Sequence, residues 1–354
     1  MGNRNAKTQQ RTILDDVREI PAGVWSYRTI DAATKQFLDT DLEWHEFRDI
    51  YQTILEKAHE THQTQIDIEP YTFDLQNLMQ IHKVARARQW KIKREEQTRS
   101  SLPIRYDRFH LQPLAEFRPY AKSKTSKTGR ALIMPYVRAW YQKGGGYTEM
   151  IDSGLLVEGK TARHEGEAKW MVEQLSNSSL INYEIRLTAL AIFTLDSFLY
   201  PLVQNTLCLN NQSKMSTLGP ILALLGDCQT YSLAIDRLLY SGIVYFSSKH
   251  DAFAIKLQLR IHLETENDEP VKIDSFISAT KNRSVAEKNN EQTCLYIVHI
   301  KYRRTVNAID VSSLSRRSDE QEVLILPNVP FTIKKIECDT KNSHRHIVYL
   351  TVEN

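Results

Sequence analysis

The stretch Asp319–Pro327 constrains the fold more than any other part of the sequence. Two glutamates, Glu320 and Glu322, stand one residue apart and precede the apolar run Val323–Leu326. Such a run is typical of a buried strand, and residues i and i+2 of a strand share a face, with side chains roughly 7 Å apart. The pattern predicts a carboxylate pair at the rim of a pocket. A solvated acidic turn before a strand is the alternative reading of these two residues alone.

Composition places the chain among ordinary globular proteins. Its 354 residues give room for two or three domains, and the hydrophobic and charged contents of 41% and 25% are usual for a soluble protein. A formal net charge of +3 is too small to indicate nucleic-acid binding by itself. No apolar run approaches the roughly 20 residues of a membrane helix.

The cysteines and the N-terminus indicate where the protein resides. Because the cysteines lie far apart in the sequence, they fit buried thiols in a reducing interior better than disulfides or a zinc site. The first residues contain no hydrophobic signal segment, and we therefore expect an intracellular protein, cytoplasmic or nuclear. The cysteines are Cys208, Cys228, Cys294 and Cys338.

Changes in composition divide the chain into four parts. Residues 1–19 are polar and are expected to be flexible. Residues 20–96 form a small compact module, and residues 97–150, with prolines and a lysine-rich run, are interpreted as a basic linker region. Residues 151–354 are a helical half followed by a β-rich half, which predicts the α+β fold class.

Hydrophobic periodicity places the individual elements. The expected helices are Trp44–His59, Ala168–Leu175 and Tyr183–Leu199. The expected strands are Gln65–Ile68, Tyr71–Leu75, Gln89–Lys93, Gly242–Phe246, Ser275–Ser278, Leu295–Lys301, Glu322–Leu326, Phe331–Glu337 and Ile347–Val352.

Five stretches of the N-terminal module carry a family resemblance: Trp25, Trp44–Phe47, Ile54–Ala58, Tyr71–Gln80 and Arg86–Arg94. With them the module resembles the WWE domain, a half-barrel with one helix that binds poly(ADP-ribose) in its family. The resemblance covers roughly residues 20–96. It implies that ADP-ribose or poly-ADP-ribose is a binding partner of the module.

An ADP-ribose ligand needs cations for its diphosphate, an amide for an adenine or ribose edge, and an aromatic surface. The resemblance implies Gln80 as the amide, Arg88 and Lys93 as the cations with Arg86 as an alternative, and Trp44 as a further site residue. Three other interpretations stay open at this point. In the first, Arg86–Arg94 is only a charged strand exposed to solvent. In the second, the module binds only proteins, and in the third, its basic residues bind RNA.

The rest of the chain resembles another family through four stretches: Ala168–Leu175, Phe193–Tyr200, Ser275–Thr280 and Asp319–Leu326. In their order and spacing they are similar to mono-ADP-ribosyltransferases of the R-S-E class, an arginine-directed group that includes vertebrate ecto-enzymes and bacterial toxins. The resemblance covers roughly residues 165–352. It implies a helical subdomain followed by an antiparallel two-sheet core that binds NAD as a co-substrate.

In that family the nicotinamide–ribose bond of NAD breaks through an oxocarbenium-like state, which a nearby carboxylate stabilises. The resemblance implies that Glu322 is the catalytic glutamate and that Glu320 orients the acceptor guanidinium. Ser278 would position Glu322, Thr280 would support its strand, and Phe276 would pack or stack on nicotinamide. No metal is expected. The choice between NAD and NADP and the acceptor protein, expected to bear an arginine, stay open.

One position departs from the family pattern. The first strand of the family reads Leu-Tyr-Arg-Gly, whereas this chain has Ser241 between Tyr240 and Gly242. The three residues are assigned to NAD binding, but without the arginine that grips the dinucleotide. Arg237 lies about 13 Å away along a strand and is a poor substitute. The leading hypothesis is an NAD-dependent protein-arginine transferase. The alternative is a weakly active or inactive ADP-ribose reader, and a nucleic-acid-directed transferase is disfavoured.

Overall fold

The computed structural model describes most of the chain, with gaps. The described residues are 13–29, 44–86, 88–96, 103–111, 115, 117–119, 147–178, 184–226, 237–249, 270–288, 293–301, 307–342 and 344–352. The lysine-rich run Lys122–Gly129, which motivated the linker assignment, lies outside them. Cys228 also lies outside, and the three described cysteines are free thiols.

Six antiparallel strands and one long helix, α2 (Asp49–Glu60), build the N-terminal module. The strand order is β2-β1-β6-β5-β4-β3. The strands are β1 (Gly23–Thr29), β2 (His45–Glu46), β3 (Gln65–Ile68), β4 (Tyr71–Asp74), β5 (Met79–His82) and β6 (Gln89–Glu96). The predicted strand at 65–68 is confirmed, and those at 71–75 and 89–93 are confirmed with shifted ends. Helix α2 starts later than predicted because residues 45–46 pair with β1 instead.

A small core fixes α2 against this sheet. Trp25, Leu55 and Phe73 are almost fully buried there. The Glu56 carboxylate, also buried, accepts hydrogen bonds from the Trp25 indole at 2.9 Å and from Arg94 at 2.6 Å. Because its charge is paired and hydrogen-bonded, burial of this glutamate is tolerated.

Seven further helices are described, and only those at 165–177 and 184–194 correspond to predicted segments. The seven are α1 (Ile13–Arg18), α3 (Tyr147–Thr161), α4 (Glu165–Asn177), α5 (Glu184–Thr194), α6 (Leu199–Cys208), α7 (Met215–Gly226) and α8 (Arg283–Glu287). The expectation of a flexible N-terminus is wrong for α1, whose Val17 is fully buried. None of the described helices is by itself long and apolar enough to cross a membrane; α5 and α6 pass that test only together, with a 91° bend between them.

The helix predicted over 183–199 is two helices. Between α5 and α6 the backbone N–H groups of Asp196 and Phe198 donate to the carboxylates of Asp49, at 2.7 Å, and Glu167, at 3.0 Å. These tertiary partners satisfy donors that would otherwise bond within a helix, so the helix ends there although its hydrophobic pattern continues.

Nine strands form the second sheet, in the order β12-β13-β10-β8-β11-β15-β14-β9-β7. Its pairs are antiparallel except for β11 with β15, which are parallel. The sequence led us to expect two antiparallel sheets, and the structure instead has one continuous mixed order. The strands are β7 (Arg118–Pro119), β8 (Gly242–Ser248), β9 (Val271–Lys272), β10 (Ile277–Thr280), β11 (Cys294–Ile300), β12 (Ala308–Asp310), β13 (Glu322–Ile325), β14 (Phe331–Cys338) and β15 (His346–Val352).

The two sheets are joined through a buried ionic network around Asp49, at the start of α2. Its carboxylate accepts two hydrogen bonds from Arg317, at 2.7 and 2.8 Å, and its backbone oxygen accepts one from Arg316 at 3.0 Å. Burial alone would raise the pKa of Asp49, but the guanidinium groups of Arg317, Arg105 and Arg316 lower it to about 2. The N-terminal module is therefore held to the rest of the protein by charge as well as by apolar contact.

Candidate active site

The two glutamates of the acidic pair lie where β13 begins. Glu322 is the first residue of β13, and Glu320 ends a 3-10 turn just before it. Gln321 between them has φ 50°, in the left-handed region, and bends the chain. Glu320 therefore lies on a turn, not on the strand that the sequence pattern predicted. Both glutamates are fully buried, with 0% exposure.

The neighbouring strand β10 brings two of the predicted residues to this pair. Ser278 and Thr280 lie in register with Leu324 and Glu322 of β13. The Ser278 hydroxyl donates to Oε1 of Glu322 at 2.5 Å, and the Thr280 hydroxyl donates to the backbone oxygen of Glu320 at 2.7 Å. The structure thus places Ser278 and Thr280 where they hold the two glutamates in position.

A second partner of Glu322 comes from a distant part of the chain. Nε of Arg108 donates to the same Oε1 at 2.9 Å, and its Nη2 donates to the backbone oxygen of Phe193 at 2.7 Å. The guanidinium lies 4.0 Å from the centre of the Tyr200 ring. The other oxygen of Glu322, Oε2, is buried and has no hydrogen-bond partner among the described residues.

Glu320 has a partner of the same kind. Arg105 donates to its Oε1 from the backbone N at 2.8 Å and from Nε at 3.1 Å, and to its Oε2 from Nη2 at 2.6 Å. Nη1 of Arg105 donates to the Thr194 backbone oxygen at 2.5 Å. Burial alone would lower the pKa of Arg105, but its hydrogen bonds and the charges of Glu320, Asp49 and Glu322 raise it above its ordinary value. The guanidinium is therefore fully protonated.

Both arginines belong to Pro103–Leu111, which we call the arginine segment. Its assignment to a flexible linker is wrong. It contains a 3-10 turn (Tyr106–Phe109) with a fully buried Phe109, and Leu111 donates to the backbone oxygen of Ser247 at 2.7 Å. The sequence signal that was missed is an Arg-x-x-Arg spacing beside two aromatic residues. Its meaning is not local, because the carboxylate partners of both arginines lie over 200 positions away.

Phe276, predicted to pack or to stack on nicotinamide, is fully buried. Its ring packs edge-on against Phe193 at 5.3 Å, and its backbone oxygen accepts a hydrogen bond from Gln204 at 2.6 Å. In this structure it is a packing residue behind the carboxylates.

Tyr240, Ser241 and Gly242 lie away from the carboxylates. Ser241 is exposed, and it stands four residues before Tyr245, the β8 residue in register with Thr280, a distance of roughly 13 Å along the strand. The Tyr240 hydroxyl donates to the Ile243 backbone oxygen at 2.9 Å, so the ring folds over Gly242. Gly242 has φ 143°, and a Cβ there would lie 2.7 Å from that hydroxyl, so glycine is required. The assignment of these residues to NAD binding stays a prediction.

A cavity of about 700 Å³ opens on the outer side of the arginine segment. This volume is within the usual range for small-molecule sites. Its wall mixes four basic side chains with aromatic rings and two carboxylates. They are Arg48, Arg105, Arg108, Lys288, Tyr106, Tyr200, Asp107 and Asp196. The arginine segment separates this cavity from Glu320 and Glu322.

In the N-terminal module the predicted ADP-ribose residues divide between two faces of the sheet. Gln80 lies in register with Phe73 and Trp90, on the face that carries α2. By strand alternation Arg88 shares that face, whereas Lys93 lies on the opposite one. There Lys93 is 4.7 Å from the centre of the Trp44 ring. One small ligand therefore does not touch all four residues in this structure.

The face with Gln80 also carries three ring side chains. The Tyr71 ring meets Trp90 edge-on at 5.6 Å and His82 at 5.4 Å. The Arg88 backbone oxygen accepts a hydrogen bond from the N–H of His82 at 3.1 Å, which places Arg88 beside this ring. This face combines an amide, a cation and aromatic edges. No group of three or more His, Cys, Asp or Glu side chains suited to a metal ion occurs within the described residues.

Part of the chain is similar in sequence to a known protein family. Residues 247–352 match the family model described as ART: NAD:arginine ADP-ribosyltransferase. No curated protein matches the chain. Among solved structures, the type III effector XopAI from Xanthomonas axonopodis pv. citri is similar at 14% identity and a TM-score of 0.43, over 68% of this chain and 97% of that one.

Two further solved structures are similar to a lower degree. The ADP-ribosyltransferase HopU1 of Pseudomonas syringae pv. Tomato DC3000 has 17% identity and a TM-score of 0.39, over 64% of this chain and 98% of its own. Exoenzyme S from Pseudomonas aeruginosa has 15% identity and a TM-score of 0.37, over 58% and 89%. Residues 247–352, in the C-terminal part of the chain, are therefore similar to ADP-ribosyltransferase domains.

Proposed function

We propose that the protein is an NAD-dependent mono-ADP-ribosyltransferase that modifies arginine side chains of proteins. One observation carries the proposal. The buried Glu322 is held through Oε1 by Ser278, while its Oε2 accepts no hydrogen bond from the described residues and lies 4.0 Å from Nη2 of Arg105. A carboxylate fixed in this way, with one oxygen left for a ligand, is suited to bind a ribose hydroxyl and to stabilise an adjacent cation.

The proposed reaction exchanges one bond to the ribose for another. The bond from C1′ to nicotinamide breaks, and its electron pair leaves with nicotinamide. Glu322 stabilises the positive charge that develops on the ribose, as a carboxylate does in glycoside cleavage. A guanidinium nitrogen of the acceptor then bonds to C1′ and passes a proton to Glu320, which releases it to solvent.

Glu320 supports arginine as the acceptor. In the structure it binds the guanidinium of Arg105 through both of its oxygens. Paired donors matched to a carboxylate favour arginine over lysine. A site with this shape accommodates the side chain of an incoming arginine in the same way.

The proposal is tested by incubating the protein with labelled NAD and an arginine-rich acceptor protein, and by measuring free nicotinamide and the label on the acceptor. We expect nicotinamide release together with label on arginine. Glu320→Gln should lower transfer to the acceptor by at least about tenfold and retain more of the nicotinamide release, because it removes the base but not Glu322. Label on lysine, or nicotinamide release without any transfer, would contradict an arginine transferase.

We further propose that the N-terminal module is a WWE domain that directs the enzyme to material carrying ADP-ribose. Support comes from the resemblance of its sequence and from the face with Gln80, Arg88 and three ring side chains. An amide, a cation and aromatic edges are the groups that an ADP-ribose unit needs. Lys93 and Trp44, on the other face, would belong to a separate contact.

Gln80→Ala combined with Arg88→Ala should weaken the binding of ADP-ribose by at least about tenfold, because one neutral and one charge-assisted hydrogen bond are lost. Isothermal titration measures the change, with Lys93→Ala as the variant on the opposite face. We expect Lys93→Ala to have the smaller effect. Unchanged binding in the double variant would mean that this face is not the ligand site.

A second candidate function is a non-catalytic ADP-ribose reader. Two observations favour it: Ser241 stands where the family has an NAD-gripping arginine, and both carboxylates are closed off by arginines. Such a protein would bind ADP-ribose through its N-terminal module and release no nicotinamide in any variant. The assay above therefore separates the two candidates.

A further inference from the structure

The arginine segment closes the proposed active site completely. Glu320 and Glu322 have no exposed surface, and the groups that cover their oxygens are the guanidinium groups of Arg105 and Arg108. A ribose cannot approach Oε2 of Glu322 while Nη2 of Arg105 lies 4.0 Å from it. The chemistry proposed for these glutamates therefore requires this segment to move.

Arg105 lies where an acceptor side chain would lie. Its Nη2 is 2.6 Å from Oε2 of Glu320 and on the side facing Glu322, between the proposed base and the proposed ribose position. Arg108, three residues later, donates a hydrogen bond to Oε1 of Glu322. The two arginines together mimic an acceptor that has arrived before NAD.

Arg105 is poorly suited to be modified in this position. Its Nη1 and Nη2, the nitrogens that could bond to a ribose, donate to the Thr194 backbone oxygen and to Glu320. Arg108 meanwhile occupies the glutamate that the ribose needs. The segment therefore has the contacts of an inhibitor and not those of a substrate.

A role of these arginines in gripping the NAD diphosphate is less compatible with their contacts. Arg105 donates hydrogen bonds to Glu320 and to the Thr194 backbone oxygen. Arg108 donates to Glu322 and to the Phe193 backbone oxygen. A diphosphate would have to compete with buried carboxylates for them. Charge-assisted bonds of this kind are among the strongest in proteins.

The segment is also attached at contacts outside the carboxylates. Arg317 donates to the Pro103 backbone oxygen at 3.2 Å, and Lys288 donates to the Tyr106 hydroxyl at 2.5 Å. The latter contact is exposed, so it is a point at which the segment can be loosened without altering either glutamate.

We propose that the arginine segment is a built-in pseudosubstrate, and that the acceptor side of the site binds an Arg-x-x-Arg turn. The proposal rests on the transferase function proposed above. It deepens that function by defining what the closed site binds as an inhibitor, a turn with two arginines three residues apart, of which the first takes the position of the acceptor arginine and the second that of the ribose. Residues Arg105–Arg108 of the chain itself occupy the site and keep the enzyme inactive.

The test compares nicotinamide release from NAD by the full chain and by Arg105→Gln combined with Arg108→Gln. We expect a gain of at least about tenfold, which corresponds to about 1.4 kcal/mol of preference for the closed state. Arg163→Gln, which alters an exposed arginine after α3, is the matched control and should leave the rate unchanged. Thermal unfolding confirms that each variant is folded.

A second variant and a peptide keep the test decisive if the double variant does not fold. Tyr106→Ala combined with Lys288→Ala loosens the segment from its exposed side and should also raise the rate. A synthetic peptide with the sequence of residues 103–111 should inhibit either activated variant, and the same peptide with both arginines replaced by glutamine should not.

The outcomes separate the two proposals. Unchanged or slower release in both variants, from a wild-type protein that is active, would overturn the pseudosubstrate and leave the transferase standing. Failure of the arginine peptide to inhibit would also overturn it. No nicotinamide release from any folded variant would refute the transferase itself and the inhibition with it.

Discussion

Glu322→Gln is expected to lower the rate of nicotinamide release by about 10³-fold in a variant whose arginine segment has been released. Loss of one fixed group that stabilises transition-state charge costs about 10²–10³-fold in other enzymes. Glutamine has nearly the shape of glutamate and keeps one oxygen for Ser278, but it carries no charge to stabilise the ribose cation. The loss should therefore appear in kcat more than in KM.

The measurement is steady-state nicotinamide release at saturating NAD, with Arg105→Gln and Arg108→Gln as the background. In that background Arg108 is already replaced by glutamine, so Glu322→Gln does not create an unpaired guanidinium in the interior. The matched control is Glu337→Gln, on β14, where the glutamate pairs with Lys335 and Tyr349 at the surface. A Glu322→Gln variant that keeps its rate within about tenfold would show that Glu322 is not the catalytic carboxylate.

Asp49→Asn is expected to lower the free energy of unfolding by about 3–5 kcal/mol, the usual effect of removing one member of a buried ion pair. Asp49 is 6% exposed, and its carboxylate accepts from Arg317 twice and from the backbone N of Asp196. Asparagine would leave Arg316 and Arg317 in the interior without a counter-charge. Such a loss is a large part of the stability of a typical domain.

Urea unfolding at neutral pH measures this change, and Asp67→Asn is the control. Asp67 lies on the surface, where it pairs with Thr72 and Lys83, so its replacement should change the free energy of unfolding by less than about 1 kcal/mol. Equal effects of the two substitutions would contradict the role given to the buried network.

The same carboxylate predicts a pH dependence. The pKa of Asp49 is lowered from 3.8 to about 2 in the folded protein. A lowered pKa stabilises the folded state above the unfolded value, and this stabilisation is lost as the pH falls from about 4 to about 2. The pKa difference corresponds to about 2–3 kcal/mol. In Asp49→Asn this contribution to the acid sensitivity of unfolding should be absent.

Much of the β-rich half could be predicted because its signals are local. The apolar run after Glu322 forms a strand as predicted, and the strand with Ser278 lies two residues later than predicted, at 277–280 instead of 275–278. The pairing of the two strands brings the serine to the glutamate. A strand with a buried face can be recognised from its hydrophobic pattern and its residue types. Both are properties of residues that are adjacent in sequence.

The arginine segment could not be predicted for the opposite reason. Its prolines and charges have the composition of a linker, and Arg105 and Arg108 have a defined place only through residues distant in sequence, the two glutamates over 200 positions away and the backbone oxygens of Thr194 and Phe193. The break between α5 and α6 has a similar cause, since Asp49 and Glu167 capture two backbone donors there. Local pattern does not report such tertiary partners.

The division of Gln80 from Lys93 shows a third limit. Both residues were predicted for one ligand site from the resemblance, yet strand alternation places them on opposite faces. A resemblance identifies residues but does not give the strand register that sets the face of each side chain. This register decides which of the residues can contact the same ligand.

The network at Asp49 has a consequence for how this chain can change during evolution. Arg316 and Arg317 stand within four residues of Glu320, and both bind Asp49 at the start of α2 in the N-terminal module. Exchange of this module by recombination would leave the Arg317 guanidinium buried without its carboxylate, close to the turn with Glu320. We therefore expect the module and residues 247–352 to be inherited together, and substitutions at Asp49 and Arg317 to occur together.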